Sequence, residues 1–241
     1  MRLTGHLRNF GACSLLLCGT MFAQSSLSTY VQGSGSGVNV CSDSGQGKAN
    51  CTGSDLIVDG SVDVGFSDSG STDAGFGPMK AEGHSEITVA GGGSTTQAFY
   101  NDFITTATSE DELSIIGLAD GQIAYLSGFF ATIGVFSPSV ATYSIYLGSS
   151  QYSECVVNSS ALPNCRLKLP ITYEGGAPVN FSLIRELITN ADSNLASGAP
   201  AGAVVNTGIL VSAYANFAVV DAEGHTISGV TVVGSSGHIY N

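Results

Sequence analysis

From Leu56 onward the chain is a succession of short stretches in which apolar and polar residues alternate, a period of two that suits strands with one buried face. Leu56 to Phe66 sets Ile57, Asp59, Ser61, Asp63 and Gly65 against Val58, Val62, Val64 and Phe66, and predicts one half-buried strand. Glu86 to Ala90 and Gln97 to Ala107 read the same way, parted by the breaker Gly91-Gly92-Gly93. Leu113 to Ile116, Gln122 to Phe130 and Ala141 to Leu147 follow, the last with Tyr143, Ile145 and Leu147 on one face. Val156 to Asn158, Arg166 to Tyr173, Ile209 to Val220 and Ile227 to Val233 complete the series, the last two parted by the turn Asp221-Ala222-Glu223-Gly224. One segment is ambiguous. Between Asn180 and Asn190, Phe181, Ile184 and Ile188 recur at helical spacing, yet alternation also fits, and a short apolar run is not settled by its period.

Many short strands with turn signals between them predict an all-β fold, an antiparallel β-sandwich or jelly-roll-like domain with at most one short helix. The chain has no tryptophan, so Phe, Tyr, Ile, Leu and Val must supply the core. Its 32 glycines sit in connecting stretches without a triplet repeat, which excludes collagen. The organisation expected is a signal peptide over 1–23, a Gly/Ser-rich lead-in over 24–54 held by a disulfide loop, and a β-sandwich over 55–241.

The signal-peptide reading rests on Arg2 and Arg8 ahead of an apolar stretch containing Leu15, Leu16 and Leu17, with Ala23 as the small residue before cleavage. The stretch is shorter than the roughly 20 residues that span a bilayer. Leu17 stands before Cys18 where a lipid-attachment site wants a small residue. A secreted, extracellular or periplasmic protein without a transmembrane anchor is expected. Beyond that segment, five Lys and Arg face 19 Asp and Glu, a formal charge of -14. Such a chain as a whole opposes a phosphate backbone, so nucleic acid is not an expected partner.

Four cysteines lie outside that segment: Cys41, Cys51, Cys155 and Cys165. In an oxidising compartment they predict disulfides, and of the three connectivities the local pairs Cys41–Cys51 and Cys155–Cys165 close the shortest loops. A four-thiolate zinc site would want two to four residues within each pair, and these pairs are ten apart.

The run Ile171-Thr172-Tyr173-Glu174-Gly175-Gly176-Ala177-Pro178-Val179-Asn180-Phe181 resembles a strand-turn-strand entry of secreted bacterial β-sandwich proteins of the PEP-CTERM-associated type. Ala215 to Gly224 is similar to their penultimate strand and turn, and Ile227 to Gly237 to their closing strand. Gly75 to Ala81 and Ala98 to Asp102 fit the same style more loosely. The likeness spans residues 70 to 241; no Pro-Glu-Pro motif, apolar helix or basic tail follows Asn241 in the sequence. The resemblance implies an extracellular β-sandwich, implies strand rather than helix for residues 180 to 190, and implies no reaction.

Candidate chemistry is sparse. His84, His225 and His238 show no metal-ligand spacing, and His84 with Glu86 beside Ser85 reads as polar strand residues facing water. Gly33-Ser34-Gly35-Ser36-Gly37 matches the letters of a nucleophile elbow, but in a low-complexity stretch without the strand-to-helix context. Asp59, Asp63, Asp68 and Asp73 offer hard oxygen ligands for calcium, though in no known loop spacing, and solvated turn carboxylates are the plainer reading. Glu110-Asp111-Glu112 reads as a solvated charge run. Phe99, Tyr100, Tyr125, Phe129, Phe130, Tyr143, Tyr146 and Tyr152 could include exposed rings that stack on sugars, with core packing as the competing use. The expected function is a structural or adhesive, non-enzymatic protein with extracellular polysaccharide or matrix as partner. A carbohydrate- or calcium-binding jelly-roll module is the alternative, and a polysaccharide-acting hydrolase the third reading.

Overall fold

A computed structural model of the chain describes residues 25–137, 140–148, 153–158, 165–171 and 179–240. These residues form thirteen strands and no helix. The first four are β1 (Ser26–Gly35), β2 (Val38–Gly45), β3 (Lys48–Asp59) and β4 (Val62–Asp73). Next come β5 (Met79–Gly91), β6 (Phe99–Ile116), β7 (Ala124–Ser137) and β8 (Val140–Leu147). The rest are β9 (Ser153–Asn158), β10 (Cys165–Ile171), β11 (Val179–Leu195), β12 (Val204–Val220) and β13 (Thr231–Gly234).

The strands make two antiparallel sheets packed face to face. Sheet A runs β2-β1-β6-β11-β8-β9, with β13 also paired to β6, and sheet B runs β10-β7-β12-β5-β4-β3. Strands stack in facing pairs, β2 over β3, β1 over β4, β6 over β5, β11 over β12, β8 over β7 and β9 over β10. Strands β5 to β12 alone give the orders β5-β12-β7-β10 and β6-β11-β8-β9, the double Greek key of a jelly roll. The hairpins β1–β2 and β3–β4 widen each sheet by two strands.

Alternation dictates the core. Along β6, Phe99, Asn101, Phe103, Thr105, Ala107, Ser109, Asp111, Leu113 and Ile115 point inward, as alternate residues of a strand must. The main apolar cluster packs Phe103, Leu126, Phe130, Tyr143, Leu187, Val211 and Phe217 between the sheets. Phe130 and Phe217 meet edge to face at 5.5 Å, worth about 0.5–1.5 kcal/mol beyond their area burial. A smaller cluster of Val62, Val64, Phe66, Ile87, Val89, Phe99 and Leu195 fills one end.

Three expectations change and one ambiguity is resolved. Residues 25–54 are not a lead-in: β1 lies inside sheet A between β2 and β6, and β3 edges sheet B. Its alternation is hidden because glycine takes inward positions where the opposite sheet fills the space; a Cβ on Gly33 would stand 2.2 Å from Asp68 Oδ2. Leu56 to Phe66 is two strands, since Gly60 turns the chain at φ +67° and β3 pairs with β4 from Asp59↔Val62 outward. The ambiguous stretch from Asn180 to Asn190 is strand, within β11, paired to β6 on one side and β8 on the other. Of Ile227 to Val233, only the last three residues are strand, in β13.

Cys41 on β2 and Cys51 on β3 are bridged, S–S 2.09 Å, so the disulfide clamps sheet A to sheet B at their shared edge. Cys155 lies on β9 and Cys165 on β10; their side chains, like residues 1–24, lie outside the described residues. Among the described residues no helix is long and apolar enough to cross a membrane. A disulfide is compatible with a location outside the cytoplasm.

Candidate functional site

The four aspartates read as calcium ligands are not brought together. Asp59 sits buried at the end of β3, accepting the backbone N–H of Thr96 at 2.6 Å and its hydroxyl. Asp63 and Asp73 occupy the outer face of sheet B, and Asp73 pairs with Lys48 at 3.2 Å. Asp68 faces inward and is wholly buried. Among the described residues no three His, Cys, Asp or Glu gather as metal ligands.

Asp68 instead anchors a polar belt through the core. Asn101 Nδ2 donates to Asp68 Oδ1 at 2.8 Å, and the Ser85 hydroxyl donates to the Asn101 carbonyl at 2.9 Å. Ser193 Oγ donates to the Ser85 carbonyl at 2.8 Å and meets Thr207 Oγ1 at 3.2 Å. The belt runs through β4, β5, β6, β11 and β12 and parts the two apolar clusters. Asp68 Oδ2 and Asn101 Oδ1 accept no hydrogen bond within it. Burial pushes the Asp68 carboxyl up to about 7, against the opposing pull of the nearby Ser85 hydroxyl and the Asn101 amide. Shut away from solvent, the group has no route to a substrate.

A second buried cluster ties down the C-terminal segment. Arg185 is completely buried on β11, donating Nε to Ser109 Oγ at 2.9 Å, Nη1 to the Gly77 carbonyl at 2.7 Å and Nη2 to the Gly75 carbonyl. Its guanidinium lies 5.8 Å from the Tyr240 ring. The Tyr240 hydroxyl donates to Asp111 at 2.8 Å, and Ser235 and Ser236 add their hydroxyls at 2.8 and 2.6 Å. Burial would raise the Asp111 carboxyl, but the donors Ser236, Ser235 and Tyr240 outweigh it and hold it low. Asp111, expected in a solvated run, is therefore a buried anchor.

The histidines stand apart. His84 lies 3.9 Å from Glu86 on the outer face of sheet B, His225 pairs with Asp221 at 3.3 Å, and His238 meets the Tyr240 ring edge at 4.5 Å.

The two outer faces differ in charge. On sheet A, β1, β6 and β11 present Ser28, Thr106, Thr108, Ser114 and Ser182 beside the exposed Tyr30, Tyr100 and Ile116, with Asp102, Glu110, Glu112, Glu186 and Asp192 as the charged groups. Asp102 and Asp192 are register partners; burial, then for Asp102 the charge of Asp192, raises both carboxyls.

On sheet B, β10, β7 and β12 expose rings and aliphatic chains. Phe129 is 37% exposed, Ile133 64%, Leu210 53% and Tyr214 36%. The consecutive pair Phe129-Phe130 in a strand must put one ring on each face; Phe130 enters the core and Phe129 faces out. Ala131↔Tyr214 and Phe129↔Asn216 are register partners, so Phe129 and Tyr214 are diagonal neighbours about 7–8 Å apart. Lys168 Nζ sits 4.4 Å from the Tyr125 ring and the Arg166 guanidinium 6.0 Å from Phe129.

Of the rings singled out in the sequence, Tyr100 and Phe129 are exposed, Phe99, Phe130 and Tyr143 are core, and Tyr152 lies outside the described residues. Tyr214 and the flanking cations were missed; alternate spacing with Leu210 along β12 was the available signal. Comparison of the chain with known protein families, curated proteins and solved structures finds no match.

Proposed function

We propose that the chain is an exported, non-enzymatic adhesive or structural module that holds extracellular polysaccharide or matrix on the outer face of sheet B. The observation that carries this reading is the exposed strip of Phe129, Tyr214, Leu210 and Ile133, laid on a hydrogen-bonded sheet rather than in a cleft. A contiguous apolar patch on a soluble surface marks an interaction site. Rings fixed on neighbouring strands are held in position before binding, so a flat sugar face meets them with little ordering of the protein. Support for export comes from the apolar leader, the Cys41–Cys51 bridge and the resemblance of residues 70 to 241 to exported β-sandwich proteins.

A glycan array, run with and without a calcium chelator, tests the reading. Binding is expected to persist in chelator and to fall in the Phe129→Ala/Tyr214→Ala variant. An array on which the protein retains no glycan, or on which that variant binds undiminished, overturns it.

A further inference from the structure

We infer that the glycan held by the outer face of sheet B is an anionic one, a polysaccharide bearing carboxylates or sulfates; this rests on the adhesive reading of that face. Beyond residue 24 the chain has only five cations, and Arg185 is buried in the core. All four left on the surface, Lys48, Lys80, Arg166 and Lys168, stand on the outer face of sheet B. Arg166 and Lys168 on β10 flank the strip that Phe129 and Tyr214 form on β7 and β12. Across the outer positions of β10, β7 and β12, no carboxylate stands among the described residues, in a chain with 19 acidic residues.

The remaining charges border the strip rather than interrupt it. Lys80, Glu82 and Glu86 share the outer side of β5, opposite Ser212, Leu210 and Asn206, Asp73 beyond Lys80 is paired with Lys48, and Asp63 lies farther out on β4. Asp221 and Glu223 lie in the turn past β12, where Asp221 is engaged by His225 and Lys168 Nζ donates to the Ala222 carbonyl at 3.3 Å. The acidic face of sheet A is a full sandwich away. Sheets stack about 10 Å apart and the Debye length is about 8 Å in physiological salt, so that face does little to repel a ligand here. A polymer alternating sugar rings with acid groups meets both halves of the patch, the rings on Phe129 and Tyr214 and the acids on Arg166 and Lys168. Its affinity should fall as salt rises.

The experiment compares retardation of the full protein in gels containing polygalacturonate and in gels containing the same polymer with its carboxyls reduced to alcohols. Arg166→Gln/Lys168→Gln and Phe129→Ala/Tyr214→Ala are run beside wild type, with melting temperatures to show that each is folded. Wild type should prefer the acidic polymer by about tenfold, the scale of one good charged contact. The Arg166→Gln/Lys168→Gln variant should lose that preference and its salt dependence while keeping its hold on the neutral polymer. The ring variant should weaken on both. Equal wild-type binding to the two polymers overturns the anionic assignment and leaves the adhesive reading standing. Retardation by neither polymer also overturns the assignment, and the array then decides the adhesive reading. A preference unchanged in the Arg166→Gln/Lys168→Gln variant places the acid elsewhere and overturns it as well.

Discussion

Asn101 reaches from sheet A to Asp68 in sheet B, Nδ2 to Oδ1 at 2.8 Å, and leaves the second oxygen of Asp68 in the core without a donor. A neutral acid suits that position better than an anion, because Oδ2 can then carry the proton.

A pH dependence follows. The Asp68 carboxyl is near 7 in the folded protein, against about 3.9 in an unfolded chain. Between those values the unfolded chain releases a proton that the folded protein keeps, so stability falls with rising pH across that window. The contribution is complete below about pH 4 and gone above about pH 7, a loss on the order of 4 kcal/mol. Asp68→Asn keeps the shape and the acceptor but cannot ionise. Denaturant titrations of wild type and Asp68→Asn from pH 4 to 8 should show their stability difference moving toward the variant. A difference flat across that range rejects the neutral acid.

Gly33 makes room for that carboxyl. A methyl at position 33 would lie 2.2 Å from Asp68 Oδ2, so Gly33→Ala should cost about 1–3 kcal/mol by overpacking. In an Asp68→Gly background, which also removes the Asp68 Cβ at 2.6 Å from that methyl, the same change should cost much less, and a double-mutant cycle measures the difference. Additive losses would show that the two residues do not share the space.

Tyr240→Phe should lower stability by about 1.5–3 kcal/mol, the usual worth of a hydrogen bond to a charged group. Asp111 is held below its ordinary value, so its contribution is present above about pH 4 and is lost as pH falls through the depressed value. With one donor removed, acid unfolding of Tyr240→Phe should begin at higher pH than that of wild type. Coincident acid transitions would mean that the tyrosine hydroxyl is not holding the carboxylate down.

Removing the bridge by Cys41→Ala/Cys51→Ala should cost about 3 kcal/mol, the model-dependent value for a loop of roughly this size. Urea unfolding under oxidising conditions reads the loss. A variant as stable as wild type would show that the edge of the sandwich holds without its clamp.

The sequence disclosed the jelly-roll class because β5, β7, β8 and β12 alternate plainly, with Val89, Leu126, Tyr143 and Val211 landing inside. It concealed β1 because two of its four inward positions, Gly33 and Gly35, carry no hydrophobic signal; their neighbours across the core, Asp68 and Phe66, supply the volume. It also concealed the roles of Asp68, Asp111 and Arg185. Charged residues read as solvated when their partners are 33, 124 or 110 positions away, as Asn101, Ser235 and Gly75 are. The sheet B patch was half visible. Phe129-Phe130 announces an outward ring once a strand is assumed, whereas its place beside Arg166 and Tyr214 depends on the order β10-β7-β12.

β6 takes the first strand and the penultimate stretch of the chain along the same flank: β1 pairs with Asn101 to Glu110 and β13 with Leu113 to Ile116. That seam unites segments some two hundred residues apart, so a polypeptide emerging N-terminus first leaves Leu113 to Ile116 unpaired on that flank until β13 has emerged. Pairings between segments so far apart in sequence are slow to find, and folds rich in them mature in milliseconds to seconds rather than microseconds.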